Sequence, residues 1–219
     1  TIDGAGAPPT GSLTINETGT STFTLAGTNT AYTIGAVTFS SPSGTFNAGS
    51  ASITASGLTI DGGGAFTNTS GTLILNGAMN ITNGTFNGGT NSITVNSNPL
   101  TIGATGIFNS TSGTLTIVSD SFTNTAGGTF NANNGTVIFT GSNATIDIGT
   151  TQTLNHLTVN KTSGYTQTIA SGDTLVINGT LTLTDGAIST GTVDAKGPVN
   201  VGTGFDAGSA ALKFTASSN

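Results

Sequence analysis

The stretch GTFNGGTNSITVNSNPLTIGATGIFN, residues 84–109, decides the fold. It carries a phenylalanine in a G-x-F frame near each end, Phe86 and Phe108, and between them two short segments, ITV (93–95) and LTI (100–102), in which aliphatic residues alternate with threonine. Short alternating runs broken by Gly, Asn and Ser are the pattern of brief β-strands separated by corners. One unit thus holds three strands and then starts again.

Outward from this stretch the unit recurs. The G-x-F frame appears at Phe46, Phe66, Phe86, Phe108 and Phe130, at intervals of 20, 20, 22 and 22, and an aliphatic residue follows seven places later each time: Ile53, Leu73, Ile93, Leu115 and Val137. Phe205 repeats the step to Leu212, with Gly204 one place closer. Taking the first segment of each unit as a marker places its start at Leu13, Val37, Ile53, Leu73, Ile93, Leu115, Val137, Leu157, Leu175, Val193 and Leu212. These markers predict about eleven coils of roughly 20 residues.

A three-strand unit of this size cannot bury its own apolar face, but stacked copies share a continuous interior. The predicted fold is therefore all-β: a single-stranded parallel β-helix, or β-solenoid, forming one domain over residues 1–219. Residues 1–12 are expected to form a partial first coil and 212–219 a partial last one. Coils spaced by one inter-strand distance, roughly 4.8 Å, make a rod on the order of 50 Å long. Alternation turns Leu, Ile, Val and Phe inward and Thr outward. The repeat core is assigned to Phe46, Phe66, Phe86, Phe108, Phe130 and Phe205. The residues that follow these phenylalanines, Asn47, Thr67, Asn87, Asn109, Asn131 and Asp206, are placed to form a hydrogen-bonded ladder along a corner; the plainer alternative is that Asn suits the turn.

Composition closes off most chemistry. The chain has 3 Lys+Arg against 9 Asp+Glu, a net charge of -6, and no Arg, so it lacks the basic clusters that bind nucleic acid. It has no Cys and a single His, His156, which leaves neither thiolate nor His-cluster metal sites. No run approaches the ~20 apolar residues of a membrane span. Parallel β-helices include polysaccharide-cleaving enzymes, yet Asp61, Asp120, Asp147, Asp173, Asp185 and Asp194 are scattered singly, whereas glycoside hydrolysis needs paired carboxylates. No enzymatic activity, cofactor, catalytic residue or metal site is expected.

The ends suggest assembly. The opening TIDGAGA (1–7) matches TIDGGGA (59–65), and the tail LKFTASSN (212–219) matches VIFTGSN (137–143), which runs on into ATIDIG. Joining tail to head puts Ile2 seven residues after Phe214, the same step as Phe139 to Ile146. Thr1, Ile2, Asp3, Leu212, Phe214 and Asn219 are thus the candidate junction between copies stacked head to tail, or between tandem periods of a longer chain. A heterologous contact that does not close yields a filament.

The runs GTFNANNGTVIFTGSNATI (128–146) and LNHLTVNKTSGYTQTIASGDTLVINGTLTLTDGAI (154–188) resemble repeats of large bacterial surface and secreted proteins of the filamentous-haemagglutinin and autotransporter-passenger type. The resemblance is one of repeat style over most of residues 37–214. It implies a right-handed coil, an extracellular or cell-surface location and a scaffolding or adhesive role, and it carries over no functional residue. The expected partner is the chain itself, with a glycan-binding adhesin arm as the alternative. Glycan sites commonly display aromatic platforms, and the chain has no Trp and only Tyr32 and Tyr165, which favours the fibre.

Overall fold

The computed structural model describes residues 2–3, 11–16, 19–26 and 31–215. Among them there is no helix, and every paired strand is parallel to its neighbours, as stacking of like on like requires. The chain winds as a β-solenoid with three faces per coil.

The first face is traced by Tyr32, Ile53, Leu73, Ile93, Leu115, Val137, Leu157, Leu181 and Val199, each in register with the next. These nine positions define about nine coils. The second face carries Leu13, Val37, Leu58, Met79, Leu100, Phe122 and Ile146 in the same way. The third carries Phe23, Phe46, Phe66, Phe86, Phe108 and Phe130. Nine-residue strands such as Ser52–Ile60 span a corner, with Ile53 on one face and Leu58 on the next.

The expected eleven coils become about nine because the marker slips between faces. From Ile53 to Leu157 the marker residues do share the first face, but Leu13 and Val37 lie on the second, and Leu175, Val193 and Leu212 lie on the third. The three strands of a coil are chemically alike, so a local pattern finds a strand without saying which face it occupies. Phe205 is corrected for the same reason. It pairs with Gly186 on the second face and is half-buried, so it stands outside the phenylalanine column.

That column is the spine of the interior. Successive ring centroids from Phe46 to Phe130 lie 4.9, 5.5, 4.9 and 5.3 Å apart, with interplanar angles of 28°, 16°, 21° and 7°. The coil spacing imposes this near-parallel stacking. The neighbouring ladder is also formed. Asn87 Nδ2 donates to Thr67 Oγ1 (3.2 Å), Asn109 Nδ2 to Asn87 Oδ1 (2.8 Å) and Asn131 Nδ2 to Asn109 Oδ1 (2.7 Å). Asn47 instead accepts from the backbone of Gly49 through its side chain, and Asp206 accepts from Gly164 N.

Glycine is required where coils touch. A Cβ on Gly71 would sit 1.8 Å from the carbonyl oxygen of Ala51, whereas one on Gly19 would meet nothing within 4 Å. Gly71→Ala forces two backbones apart and is expected to cost about 1–3 kcal/mol, with Gly19→Ala near neutral. Thermal melts of the two variants check the contrast; equal midpoints would refute it.

Candidate functional site

Two features outside the regular coil are candidates for function: the end of the rod formed by the last described coil, and an interruption in the third face. Among the described residues the interior apolar pattern reaches this end exposed. One coil inside it, Leu181 is 0% and Ala195 3% exposed; on the end itself Val201 is 64% and Phe214 68% exposed, with Leu212 at 42%. Leu181, Leu183, Ile188, Val193, Phe205 and Leu212 line a cavity of about 140 Å³ that opens on this surface. The outermost strands, Val199–Ala207 and Ala211–Phe214, pair on their inner side only among the described residues.

The junction residues fall into place unevenly. Leu212 and Phe214 belong to this end, with Leu212 stacked on Val193. Ile2 pairs with Leu25 and Asp3 with Ala26, which puts both on the third face at the opposite end. Thr1 and Asn219 lie outside the described residues. The expected seven-residue passage from Phe214 to Ile2 is therefore corrected. Phe139 and Ile146 occupy successive faces, the first and the second, while Phe214 and Ile2 both occupy the third. Returning to the same face takes a whole winding of 18 to 24 residues, as from Leu181 to Val199 or from Leu157 to Leu181.

The interruption lies between strands Thr129–Asn131 and Thr151–Leu154, where the third face divides into two sheets. At the position after Phe130 the column carries Gln152 in place of an aromatic. This side chain is 6% exposed; its Nε2 donates to Phe130 O (3.1 Å) and its Oε1 accepts from Asn124 Nδ2 (2.9 Å). A side chain thus supplies the bond that a strand backbone supplies elsewhere. Leu175, Val193 and Leu212 then continue the column. Sequence reading missed this break, although the loss of the G-x-F frame after Phe130 marks it.

The ionisable groups are dispersed. Asp173, 7% exposed, accepts from Ile148 N (2.8 Å), and His156 Nδ1 accepts from Thr180 N (2.8 Å), so both hold coils together. Among the described residues no three His, Cys, Asp or Glu side chains gather. Lys161 is 1% exposed, donates to Thr140 O (3.0 Å), and has its pKa pushed down to about 8 by burial.

Fold and register define the class: a three-faced parallel β-solenoid repeat protein. No protein-family model, curated protein or solved structure matches the chain.

Proposed function

We propose that the chain is a structural unit of an extracellular or surface fibre, continued at its exposed end by a further solenoid coil, either from a second copy or from the same polypeptide. The observation that supports this reading is the exposed end, where Val201, Leu212 and Phe214 meet solvent beside strand edges unpaired among the described residues, whereas Leu183, Val193 and Ala195, on which they stack, are buried. Such an edge is a template for strand pairing, and an incoming coil of the same repeat matches both its hydrogen bonds and its three apolar columns. Covering Val201, Leu212 and Phe214 also removes apolar area worth about 25 cal/mol per Å². Few titratable groups and no thiol suit a role that is mechanical, and the resemblance in repeat style agrees with placement outside the cell.

Negative-stain electron microscopy and sedimentation of the 219-residue chain test the reading. Concentration-dependent filaments with an axial repeat of roughly 40–45 Å, nine coils at one strand spacing each, are expected. The double substitution Val201→Glu and Phe214→Glu places charges on the covered surface and is expected to leave a monomer with an unchanged far-UV spectrum. A wild-type chain that stays monomeric at every concentration overturns the proposal for separate copies.

A further inference from the structure

The break in the third face lies beside a surface recess at the end of the asparagine ladder. Each ladder residue donates its Nδ2 to the coil before it, so every Oδ1 except the last is occupied. The last is Asn131, whose Oδ1 has no partner among the described residues because the next coil, at Thr151–Leu154, does not pair with this strand. Amide chains aligned in this way polarise one another, which strengthens the terminal acceptor. Asn131 lines a surface recess of about 370 Å³ together with Asn133, Asn134, Thr153, Asn155 and Asn178, and the buried Phe130 and Leu154 contribute to its wall.

The hydrogen-bonding capacity of the recess is only partly used. Asn133 Nδ2 donates to Ser110 O and Asn155 Nδ2 to Asn134 O (2.8 Å), which fixes these two side chains and leaves their Oδ1 atoms free. Asn134 and Asn178 are exposed, and among the described residues their side chains bond to nothing. The recess therefore offers fixed acceptors at Asn131, Asn133 and Asn155, and both donors and acceptors at Asn134 and Asn178. No charged residue lines it.

We infer that this recess is a binding site for a neutral carbohydrate chain. Sugar hydroxyls both donate and accept, which matches a wall of primary amides, and they bring no charge to a site that has none. A polyanion is disfavoured by the net charge of -6, and a nucleobase finds no exposed aromatic ring in the recess on which to stack. An extended peptide seeks main-chain partners along the broken edge, whereas the free groups here are predominantly side-chain amides. Without an aromatic platform the affinity is modest, a Kd on the order of 1 mM. The site is separate from the exposed end and goes beyond the proposed stacking.

The test titrates the intact chain with fluorescently labelled neutral tetrasaccharides of glucose, galactose, xylose and N-acetylglucosamine. A sulfated tetrasaccharide and a Thr/Val-rich decapeptide serve as the anionic and peptide probes. Saturable binding of at least one neutral sugar is expected, weakened about tenfold or more by the double variant Asn134→Ala/Asn178→Ala. These two side chains support no other residue, so the variant should melt with wild type; Asn200→Ala, on another face, should bind normally. Binding should persist in Val201→Glu/Phe214→Glu, so failure to stack and failure to bind sugar are read separately. No saturation by any neutral sugar, binding indifferent to the double variant, or preference for the peptide or the sulfated probe overturns the inference.

Discussion

Phe86→Ala is expected to destabilise the rod by about 4–8 kcal/mol, the largest effect of any single substitution considered. Phe86 is fully buried at the middle of the aromatic column, 5.5 Å from the ring of Phe66 and 4.9 Å from that of Phe108. Truncating a buried phenylalanine removes its transfer free energy and leaves a cavity, together about 3–5 kcal/mol, and two aromatic contacts are lost besides at about 0.5–1.5 kcal/mol each. The gap cannot collapse easily, because the backbones above and below are held at strand spacing by their own ladders. A solenoid is stabilised by nearest-neighbour interfaces, so the damage concentrates in the coils that share Phe86. Urea unfolding followed by circular dichroism should show a lower midpoint and a broadened or split transition, with Phe86→Leu retaining most of the stability. A loss under 1 kcal/mol would show that the column is not the spine.

Lys161→Met is expected to act in the opposite direction. Below pH 8 the lysine is protonated in both folded and unfolded states, and the folded state carries the full cost of burying an ammonium. Between about 8 and the ordinary value of 10.5 the unfolded chain holds more protons than the native one, so native stability rises with pH. Above that range both forms are neutral and the cost has gone. Methionine removes the penalty at every pH while keeping the aliphatic stem that packs beside Gly186. The variant should therefore be more stable than wild type at pH 7, by at most about 3 kcal/mol, and the gap should close as pH rises through the window. The difference between the two proteins isolates Lys161 from other groups titrating there. A gap that stays constant from pH 7 to 10.5 would refute the account.

The interruption between Asn131 and Thr151 bears on the energetics as well as on the proposed sugar site. On one side of it the column is dry and aromatic; on the other Gln152, Lys161, Gln167 and Asp173 enter the interior. Among the described residues neither amide atom of Gln167, 1% exposed, has a partner; on the other side of the break Asn68 Oδ1 and Asn124 Oδ1 are also unpaired. Unsatisfied buried polar groups cost free energy, and Gln167, with both amide atoms unpaired, is the largest such cost beyond the break.

The sequence by itself determined the winding. Recurrence of the G-x-F frame, the seven-residue step to an aliphatic, and alternation with threonine sufficed to predict parallel coils and an inward phenylalanine column; of the ladder considered from Asn47 to Asp206, against a plain turn role for Asn, the structure forms the part from Thr67 to Asn131. These are properties of residues one strand spacing apart in like units, and repetition makes them local. Which face each segment occupies was decided only by the tertiary structure, and with it the coil count, the position of Phe205 and the relation of Phe214 to Ile2. The strands of one coil have interchangeable compositions, and the coils vary from 18 to 24 residues along the first face, so a phase error in a sequence marker meets no local penalty. Stacking against the coils above and below is what fixes the phase. The same long-range condition, left unmet at Thr151, divides the third face into two sheets where the asparagine ladder ends.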